Sequence, residues 1–284
     1  MVTLSIIIPC YNCEATLGEQ MNFLLEEKSG TKCEILLCDN GSTDSTKALI
    51  VEYSRKDDRV RYVDASHKKG AGAARNKGVS HAQGEFVAFL DADDRIEKGW
   101  LEAIIDGLAR HGFVASRMKE LSSSEGRIGK KRQESRLIFD RYANFLPSAG
   151  ACGLGIRRDI HNMIGGFDEN LIFCQDADYC WRVQLAGTPL VFVPNALVHV
   201  RVRESLLKCF FQYVNWGEYN VYLVKKHKEA GAGQISFKKE LIRWWWLIRK
   251  PWRLLKRDGR RKFVSDLGRR VGTFNGLIKS TLSG

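Results

Sequence analysis

Residues 4–12 read LSIIIPCYN, a short apolar run that ends at Pro9 and is followed by two polar side chains. Three consecutive isoleucines before a proline are typical of a buried strand. Similar apolar runs occur at residues 34–38, 60–63 and 85–90. The first third of the chain therefore contains four predicted strands.

Segments that favour helices separate these strands. Residues 14–28 carry apolar side chains at helical spacing, and residues 70–76 open another helix. Between them, Ser42 or Thr43 can cap a third helix. A fourth helix is expected over residues 96–108. Because strands and helices alternate at short intervals, the sequence predicts an α/β fold, with a doubly wound, mostly parallel sheet and helices on both faces.

Polar side chains follow three of the predicted strands. Tyr11 and Asn12 follow the first strand, Asp39 and Asn40 the second, and residues 91–94 (DADD) the fourth. In open α/β sheets, ligands bind beyond the carboxyl ends of the strands. These side chains therefore predict a site of nucleotide size at that edge.

Asp91 and Asp93 stand two residues apart and can converge on one ion if the chain turns between them. A hard cation needs only a few carboxylates together with phosphate oxygens, and takes water at its other positions. The structural alternative is that Asp93 or Asp94 caps the helix expected over 96–108. The motif alone leaves both interpretations open.

Asp176 and Asp178 begin a second acidic segment with a helical pattern that ends at Gly187. Carboxylates favour the N-terminus of a helix, so both can serve there while one of them also faces a pocket. Residues 165–169 (GGFDE) supply a tight turn upstream, which can bring this segment close to the edge of the sheet.

The positive charge of the chain is concentrated near its C-terminal end. The net charge is +12, yet residues 1–200 hold 25 basic and 27 acidic side chains, whereas residues 201–284 hold 20 and 6. A nearly neutral part with a basic tail suggests one region for chemistry and one for an anionic surface. We expect a catalytic domain over residues 1–205, with a surface loop or flap at 116–140, and a basic helical extension over residues 206–284.

The eight cysteines do not follow a recognisable metal pattern. Cys10 and Cys13 form a C-x-x-C pair, but no second pair or histidine pair follows at ligand spacing. The N-terminal residues lack a basic leader, so reduced thiols in a cytosolic protein are expected. No uncharged apolar stretch reaches the length of about 18 residues that predicts a membrane span.

Residues 241–257 read LIRWWWLIRKPWRLLKR and place four of the seven tryptophans among clustered cations. Tryptophan prefers the membrane–water interface, and lysine and arginine are drawn to anionic headgroups. The segment predicts an interfacial helix that is kinked or ended by Pro251. Two alternatives are that the tryptophans pack on the catalytic domain, or that the segment binds nucleic acid. We favour the membrane, because the rest of the chain has no nucleic-acid motif.

Six blocks of the sequence resemble the large family-2 glycosyltransferases, which have the GT-A nucleotide-sugar fold. The blocks stand in the family's order and together span about residues 3–200. They are residues 5–12, 38–44, 72–78, 89–94, 165–169 and 175–182, which read SIIIPCYN, CDNGSTD, GAARNKG, FLDADD, GGFDE and QDADYCWR.

The resemblance implies a group of residues that binds the nucleotide diphosphate. Arg75 is similar to a residue that reaches the diphosphate, and Asp91 to the aspartate near the ribose and the metal. The residues that match the pocket for the base and ribose are Pro9, Tyr11, Asn12 and Asp39.

The resemblance also implies a metal site and a general base. Asp93 matches the direct ligand of Mg²⁺ or Mn²⁺, with Asp91 beside it. His199 is similar to a histidine that some members bring near the diphosphate or metal. Asp176 matches the family's general base.

Two residues depart from the family's pattern. Asn40 and Gln175 each stand where an acid is usual, next to Asp39 and Asp176 respectively. An acid at position 175 would repel the charge on Asp176 and raise its pKa, so the glutamine removes that effect.

The resemblance implies an inverting transfer of one sugar from a nucleoside diphosphate sugar, a UDP- or GDP-sugar, to an acceptor hydroxyl. A saccharide or lipid-linked saccharide is the expected acceptor, at an anionic membrane surface on the cytoplasmic side, and no nucleic acid is expected. One alternative is a non-catalytic sugar- or nucleotide-binding module. The other is a sugar nucleotidyltransferase, which would need a glycine-rich phosphate loop where this chain has Pro9 to Asn12.

Overall fold

The computed structural model describes residues 2–27, 30–121, 145–201, 205–249 and 257–282. The chain divides into two compact units, one formed by residues 1–138 and 147–202 and the other by residues 139–146 and 203–284. The first unit contains β1 (Leu4–Cys10), α1 (Leu17–Glu26), β2 (Cys33–Asp39), α2 (Thr46–Lys56), β3 (Val60–Asp64), α3 (Ala71–His81), β4 (Phe86–Phe89), β5 (Arg95–Ile96), α4 (Trp100–His111), β6 (Phe113–Leu121), β7 (Leu154–Arg157), α5 (Arg158–Met163), α6 (Gln175–Leu185) and β8 (Val191–Arg201). The second contains α7 (Leu206–Lys226), α8 (Phe237–Ile248) and α9 (Arg257–Leu282).

The described strands form one sheet in the order β3-β2-β1-β4-β7-β6-β8-β5. The first four strands of this order are parallel, and β6 and β8 are parallel to each other. The strands β7 and β5 run antiparallel to their neighbours. The mostly parallel sheet and the helical C-terminal region confirm the predicted fold class.

The strand β1 has a hydrophobic core on each side. Ile6 and Ile8 belong to the core that includes residues of α1 and α4, whereas Ile7 belongs to the core that includes residues of α3 and α6. Successive side chains of a strand point to opposite faces, so a run of three isoleucines suits a strand that is covered on both. The strand β1 continues one residue past Pro9. Proline has no backbone N–H to donate, and it is tolerated here because the pairing of β1 with β4 has already ended at Ile7.

The predicted caps, Ser42 or Thr43, of the helix after the second strand are wrong. The helix α2 begins at Thr46, beyond both Ser42 and Thr43. Those two residues instead join the loops after β1 and β2: the Asn12 N–H donates to Ser42 Oγ over 3.1 Å, and the Thr43 N–H donates to Asn12 Oδ1 over 2.8 Å. Asp44 Oδ1 accepts the Thr46 N–H at the start of the helix.

The helix expected over 96–108 begins later than predicted. The helix α4 starts at Trp100 after Gly99, which has a left-handed conformation, so neither Asp93 nor Asp94 caps it. Asp94 is buried, and its Oδ1 accepts the backbone N–H of Arg201 over 3.1 Å. The alternative that Asp93 or Asp94 caps this helix is therefore excluded.

The prediction of a surface loop over 116–140 is wrong for residues 116–121. These residues belong to β6, whose pairing with β8 extends as far as Leu121 and Arg201. The polar side chains there misled the prediction, because this end of β6 is only partly buried. Residues 122–140 lie outside the described residues.

Gly78 lets α3 lie directly against the sheet. A Cβ at this position would lie 2.4 Å from Ile7 Cγ2 and 2.7 Å from Cys38 Sγ, both in the buried core. Neither neighbour can withdraw without disturbing β1 or β2. The glycine therefore sets the distance between α3 and the sheet, and with it the position of Arg75 one turn earlier.

The second unit is built on close contact between α7 and α9. Gly268, Gly272 and Gly276 recur every four residues along α9, and a Cβ on Gly272 would lie 1.8 Å from the carbonyl oxygen of Val214 in α7. Gly217 of α7 makes the reciprocal approach to the α9 backbone. Small residues at this spacing let two helix backbones approach closely. Within the described ranges, every helix is too short or too polar to cross a membrane.

We predict that Gly78→Ala lowers the free energy of unfolding by about 1–3 kcal/mol, because the added methyl overpacks the core beneath α3. Urea denaturation followed by circular dichroism measures the change. Ser80→Ala on the exposed side of the same helix is the control, with an expected change within about 0.5 kcal/mol. Equal midpoints for Gly78→Ala and the unaltered chain would contradict this packing argument.

Candidate functional site

An ion pair between Arg75 and Asp91 lies at the centre of the candidate site. One guanidinium nitrogen of Arg75 lies 2.6 Å from Asp91 Oδ1, and the two side chains are 4% and 37% exposed. The guanidinium also lies over the ring of Phe167, with its carbon 5.4 Å from the ring centre. Arg75 Nε is buried and makes no hydrogen bond with the described residues. A buried cation with one unused donor, beside a half-exposed carboxylate, is suited to an anionic ligand.

Asp176 lies in the first turn of α6, within electrostatic range of this pair. Its Oδ1 accepts the N–H of Ala177 over 2.9 Å. Burial raises the pKa of Asp176, the charge of Arg75 opposes that rise, and the charge of Asp91 adds to it. A carboxylate with a raised pKa is a better proton acceptor than an exposed one. The structure thus brings Arg75, Asp91 and Asp176 together from three elements that are distant in sequence.

A second acidic residue completes a cluster that can hold a cation. One ligand atom from each of Asp91, Asp94 and Cys152 lies within 4.8 Å of the others. Asp94 Oδ2 is buried without a hydrogen-bond partner among the described residues, and burial together with Asp91 and Asp93 raises the pKa of Asp94. A divalent cation would relieve this repulsion. The oxygen donors here fit Mg²⁺ or Mn²⁺.

Cys152 itself is not suited to bind a hard cation. Burial and the neighbouring carboxylates raise the pKa of its thiol well above the usual value, so the sulfur keeps its proton. Asp93, the predicted direct ligand, is exposed at the surface. It follows Asp91 in the same turn, where the N–H of Asp94 donates to the Asp91 carbonyl oxygen.

His199 lies on β8, opposite Arg95 of β5. Its Nε2 is 2.5 Å from Glu97 Oε2, and its Nδ1 is buried with no hydrogen bond to a described residue. It is not part of the cluster of Asp91, Asp94 and Cys152. The contact with Glu97 was not foreseen, because the two residues meet only where β5 pairs with β8.

The predicted base and ribose residues lie at the ends of β1 and β2. Cys10 pairs with Asp39, so both strands end at the same level of the sheet. Tyr11 is exposed, and Asn12 has a left-handed conformation with φ of 47°. Asp39 is buried, and its Oδ1 accepts the Ser42 N–H over 3.1 Å. Pro9 precedes them within β1.

The departure at Asn40 has a structural role. Its amide nitrogen donates to the carbonyl oxygens of Ala65 and Lys68 over 2.6 and 2.8 Å, and its oxygen accepts the Gly70 N–H over 2.8 Å. An ionised acid cannot donate to two carbonyl oxygens, so the amide is required here. These bonds hold the loop that leads into α3 and thus into Arg75.

The departure at Gln175 brings a polar group towards α3. Gln175 Oε1 is buried without a hydrogen bond to the described residues, and it occupies the space that a Cβ on Gly72 would take, 2.3 Å away. The N-terminal turns of α3 and α6 therefore meet at this point. Both residues belong to predicted motifs, but the sequence did not predict that they contact each other.

A buried aromatic cluster packs around Tyr179 of α6, the helix that begins with Asp176 in its first turn. The rings of Phe167 and Tyr179 are stacked with centres 4.1 Å apart, and His161 Nδ1 lies 2.8 Å from the Tyr179 hydroxyl. Asp178 is fully buried and pairs with Arg182 over 2.8 Å. The sequence prediction missed His161, since it belongs to none of the quoted motifs. Its helical neighbours give no signal of a contact with α6.

Comparison with known proteins places these residues in a family context. The model of the family described as "Glycosyl transferase family 2" matches residues 5–164, which is more than half of the chain. This range includes Arg75, Asp91 and Asp94 but ends before Asp176.

Several curated proteins are similar in sequence to this chain. The Pre-mycofactocin glycosyltransferase of Mycobacterium tuberculosis is 29% identical over 191 residues, which are 63% of this chain and only 40% of that relative's length. Glycosyltransferase AglE of Haloferax volcanii is 27% identical over 82% of this chain and 73% of its own length. An Escherichia coli protein named UDP-Glc:alpha-D-GlcNAc-diphosphoundecaprenol beta-1,3-glucosyltransferase WfgD is 39% identical over 32% of this chain and 34% of its length.

Two solved structures share the fold. The mannosyltransferase PcManGT of Pyrobaculum calidifontis, in complex with GDP-Man and Mn²⁺, has a TM-score of 0.72 and 17% identity, and the match covers 97% of this chain and 87% of that one. S. aureus TarS 1-349 in complex with UDP-GlcNAc has a TM-score of 0.58 and 19% identity, with coverage of 96% and 92%. These likenesses confirm the predicted GT-A type of fold.

We predict that acid destabilises the contact of α5 with α6 through His161. Burial and the charge of Arg182 lower the pKa of His161 from 6.5 to about 4. The unfolded chain then binds the proton more readily, so stability is present above the unfolded pKa and is lost as pH falls towards the folded pKa. From about pH 7 to about pH 5 this loss is about 2 kcal/mol.

Urea denaturation at the two pH values measures this loss. His161→Gln should lose less stability over that interval than the unaltered chain, whatever its absolute stability. His67→Gln, at an exposed position, should keep the original difference. If His161→Gln loses as much stability between the two pH values as the unaltered chain, the pKa of His161 does not differ between the folded and unfolded states.

Proposed function

The chain belongs to glycosyl transferase family 2, and from this we propose that it transfers a sugar from a nucleoside diphosphate sugar to an acceptor hydroxyl, with inversion at the anomeric carbon. The observation that carries the proposal is the ion pair between buried Arg75 and half-exposed Asp91, with Asp176 within electrostatic range of both. A cation for the leaving diphosphate and a carboxylate for the attacking hydroxyl are the two groups that a direct displacement needs.

The donor would bind where β1, β2 and β4 end. Pro9, Tyr11, Asn12 and Asp39 would hold the base and ribose of a UDP- or GDP-sugar. The solved relatives with the same fold hold GDP-Man in one case and UDP-GlcNAc in the other. Both names support a nucleoside diphosphate sugar as the class of donor, and neither selects the base for this chain.

A divalent cation would complete the donor site. Asp93 and Asp91 would hold Mg²⁺ or Mn²⁺. His199, where β8 pairs with β5, would be a further residue near the cation. When bound, the cation supplies Lewis-acid stabilisation of the diphosphate. The solved complex of the Pyrobaculum mannosyltransferase contains Mn²⁺, and the clustered carboxylates of Asp91 and Asp94 support the same use here.

Asp176 would act as the general base. The acceptor hydroxyl loses its proton to the Asp176 carboxylate as its oxygen bonds to the anomeric carbon, and the bond from that carbon to the diphosphate breaks. Burial of Asp176 raises its pKa and so strengthens it as a proton acceptor. Arg75 would donate charge-assisted hydrogen bonds to the departing diphosphate.

The acceptor that we propose is a saccharide linked to a lipid. The Escherichia coli relative is named for an acceptor on diphosphoundecaprenol. By this proposal the chain acts in the assembly of surface polysaccharide or glycolipid, at the cytoplasmic face of an anionic membrane. The basic C-terminal region, with 20 basic and 6 acidic side chains over residues 201–284, supports a location beside such a surface.

We predict that Asp176→Asn binds the donor normally but transfers sugar about 10²–10⁴-fold more slowly, because the amide cannot accept the proton. Release of UDP or GDP in the presence of a lipid-linked acceptor measures turnover. Asp159→Asn makes the same change at an exposed carboxylate of α5, and should leave turnover unchanged. Full turnover in Asp176→Asn would refute the assignment of the base.

We predict a nucleotide-induced rise in melting temperature that depends on Mn²⁺ and is lost in Asp93→Ala. Ligand binding to the folded state raises the midpoint by mass action. A thermal-shift panel of nucleoside diphosphates and their sugars, with and without Mn²⁺, would identify the base. Glu102→Ala serves as a control for loss of an exposed acid on α4. If no nucleotide shifts the folded chain, a non-catalytic module becomes the better interpretation.

A further inference from the structure

The outer face of α8 is apolar and exposed. Trp245 is 48% exposed, Trp246 53% and Ile248 71%, and Leu241 and Ile242 are exposed to a similar extent. Counting about 3.6 residues per turn, these five side chains fall within an arc of about 160° of the helix surface. Soluble proteins rarely expose so many large apolar groups side by side without a partner.

The opposite face of α8 is fixed by buried contacts within the second unit. Glu240 is buried and forms ion pairs with Arg243 of the same helix and with Arg270 of α9, the latter over 2.8 Å. Leu247 is buried on the same side. Because removing a partner from a buried charge is costly, α8 cannot readily roll to hide its outer face.

Cations lie at both ends of the apolar arc. Lys238 and Lys239 are exposed one turn before Leu241 and Ile242, and Arg249 is exposed at the end of the helix. The Arg249 guanidinium carbon lies 4.1 Å from the centre of the Trp245 ring. The outer face therefore combines tryptophans, aliphatic side chains and positive charge on a single short helix.

We propose that this outer face of α8 docks the chain on an anionic lipid surface, with the helix lying in the plane of the interface. Aliphatic side chains and tryptophan rings enter the boundary between headgroups and acyl chains, while lysine and arginine contact anionic headgroups. The inference deepens the proposed function, on which it rests for the lipid-linked acceptor. It assigns the membrane contact to particular residues of one helix.

The charge of the second unit favours lipid over the other occupants of such a face. A second copy of the chain would bring the same positive charge against Lys238, Lys239 and Arg249, which opposes association. Single-stranded nucleic acid would use the tryptophans, but Leu241, Ile242 and Ile248 offer no surface on which bases stack. A bilayer with anionic headgroups satisfies both the apolar and the charged groups.

Sedimentation with vesicles of phosphatidylglycerol and phosphatidylcholine tests the proposal with the full chain. The unaltered chain should sediment at low salt and should not sediment with pure phosphatidylcholine. Leu241→Gln/Ile248→Gln should weaken binding by about tenfold or more, because two exposed apolar side chains no longer enter the lipid. Met163→Gln/Leu185→Gln alters two exposed apolar residues of the first unit and should bind as the unaltered chain does.

A second measurement locates the contact directly. Lipids brominated in the acyl chains should quench tryptophan fluorescence in the unaltered chain, and much less in Trp245→Phe/Trp246→Phe. Equal sedimentation of Leu241→Gln/Ile248→Gln and Met163→Gln/Leu185→Gln would overturn the proposal. Equal quenching of the unaltered chain and Trp245→Phe/Trp246→Phe would also overturn it. So would self-association in lipid-free buffer that Leu241→Gln/Ile248→Gln abolishes, or tighter binding to single-stranded DNA than to the vesicles.

The vesicle assay contains neither nucleotide nor acceptor, so its result is independent of transfer. Asp176→Asn should sediment as the unaltered chain does. A chain that sediments through α8 yet transfers no sugar contradicts the proposed function alone. A chain that transfers sugar to a soluble acceptor but ignores anionic vesicles contradicts only the docking face.

Discussion

The ion pair between Arg75 and Asp91 is the contact on which the arrangement of the site depends. Arg75 comes from α3 and is almost wholly buried, so its charge must be met by a carboxylate, which the segment after β4 supplies 2.6 Å away. The guanidinium also packs on Phe167, whose ring stacks on Tyr179 of α6. One buried cation thus fixes the relative positions of three segments. Burial within this arrangement raises the pKa of Asp176, and the charge of Arg75 opposes the rise.

The rest of the first unit holds Arg75 at that depth. Gly78 allows α3 to lie against Ile7 and Cys38, where any larger side chain would push the helix outward. Asn40 ties the loop before α3 to the end of β2 through three hydrogen bonds. The family's usual acid at this position would not make the two donor bonds, so the substitution belongs to the support of the site. It therefore gives no sign that the chemistry has been lost.

The second unit follows a different principle of packing. Where the sheet buries branched side chains on both faces, α7 and α9 meet through glycines whose missing Cβ atoms bring the backbones together. The helix α8 has an inner face anchored by Glu240 and an outer face of tryptophan and aliphatic side chains. The positive charge of the chain is concentrated in this unit, while the first unit is nearly neutral. Donor chemistry and surface attachment can therefore be carried by separate parts of the molecule.

The sequence by itself determined the first four strands, the approximate places of the helices between them and the motifs that follow those strands, because apolar periodicity and turn residues act between near neighbours. It identified Asp91, Arg75 and Asp176 individually, but placed the start of α2 and α4 too early and took the partly polar end of β6 for a loop. Only the tertiary structure decided that Asp94 lies beside Cys152, and that His199 contacts Glu97. These partners are about 60 and 100 residues apart, and their meeting is set by strand order and register, which local patterns do not encode.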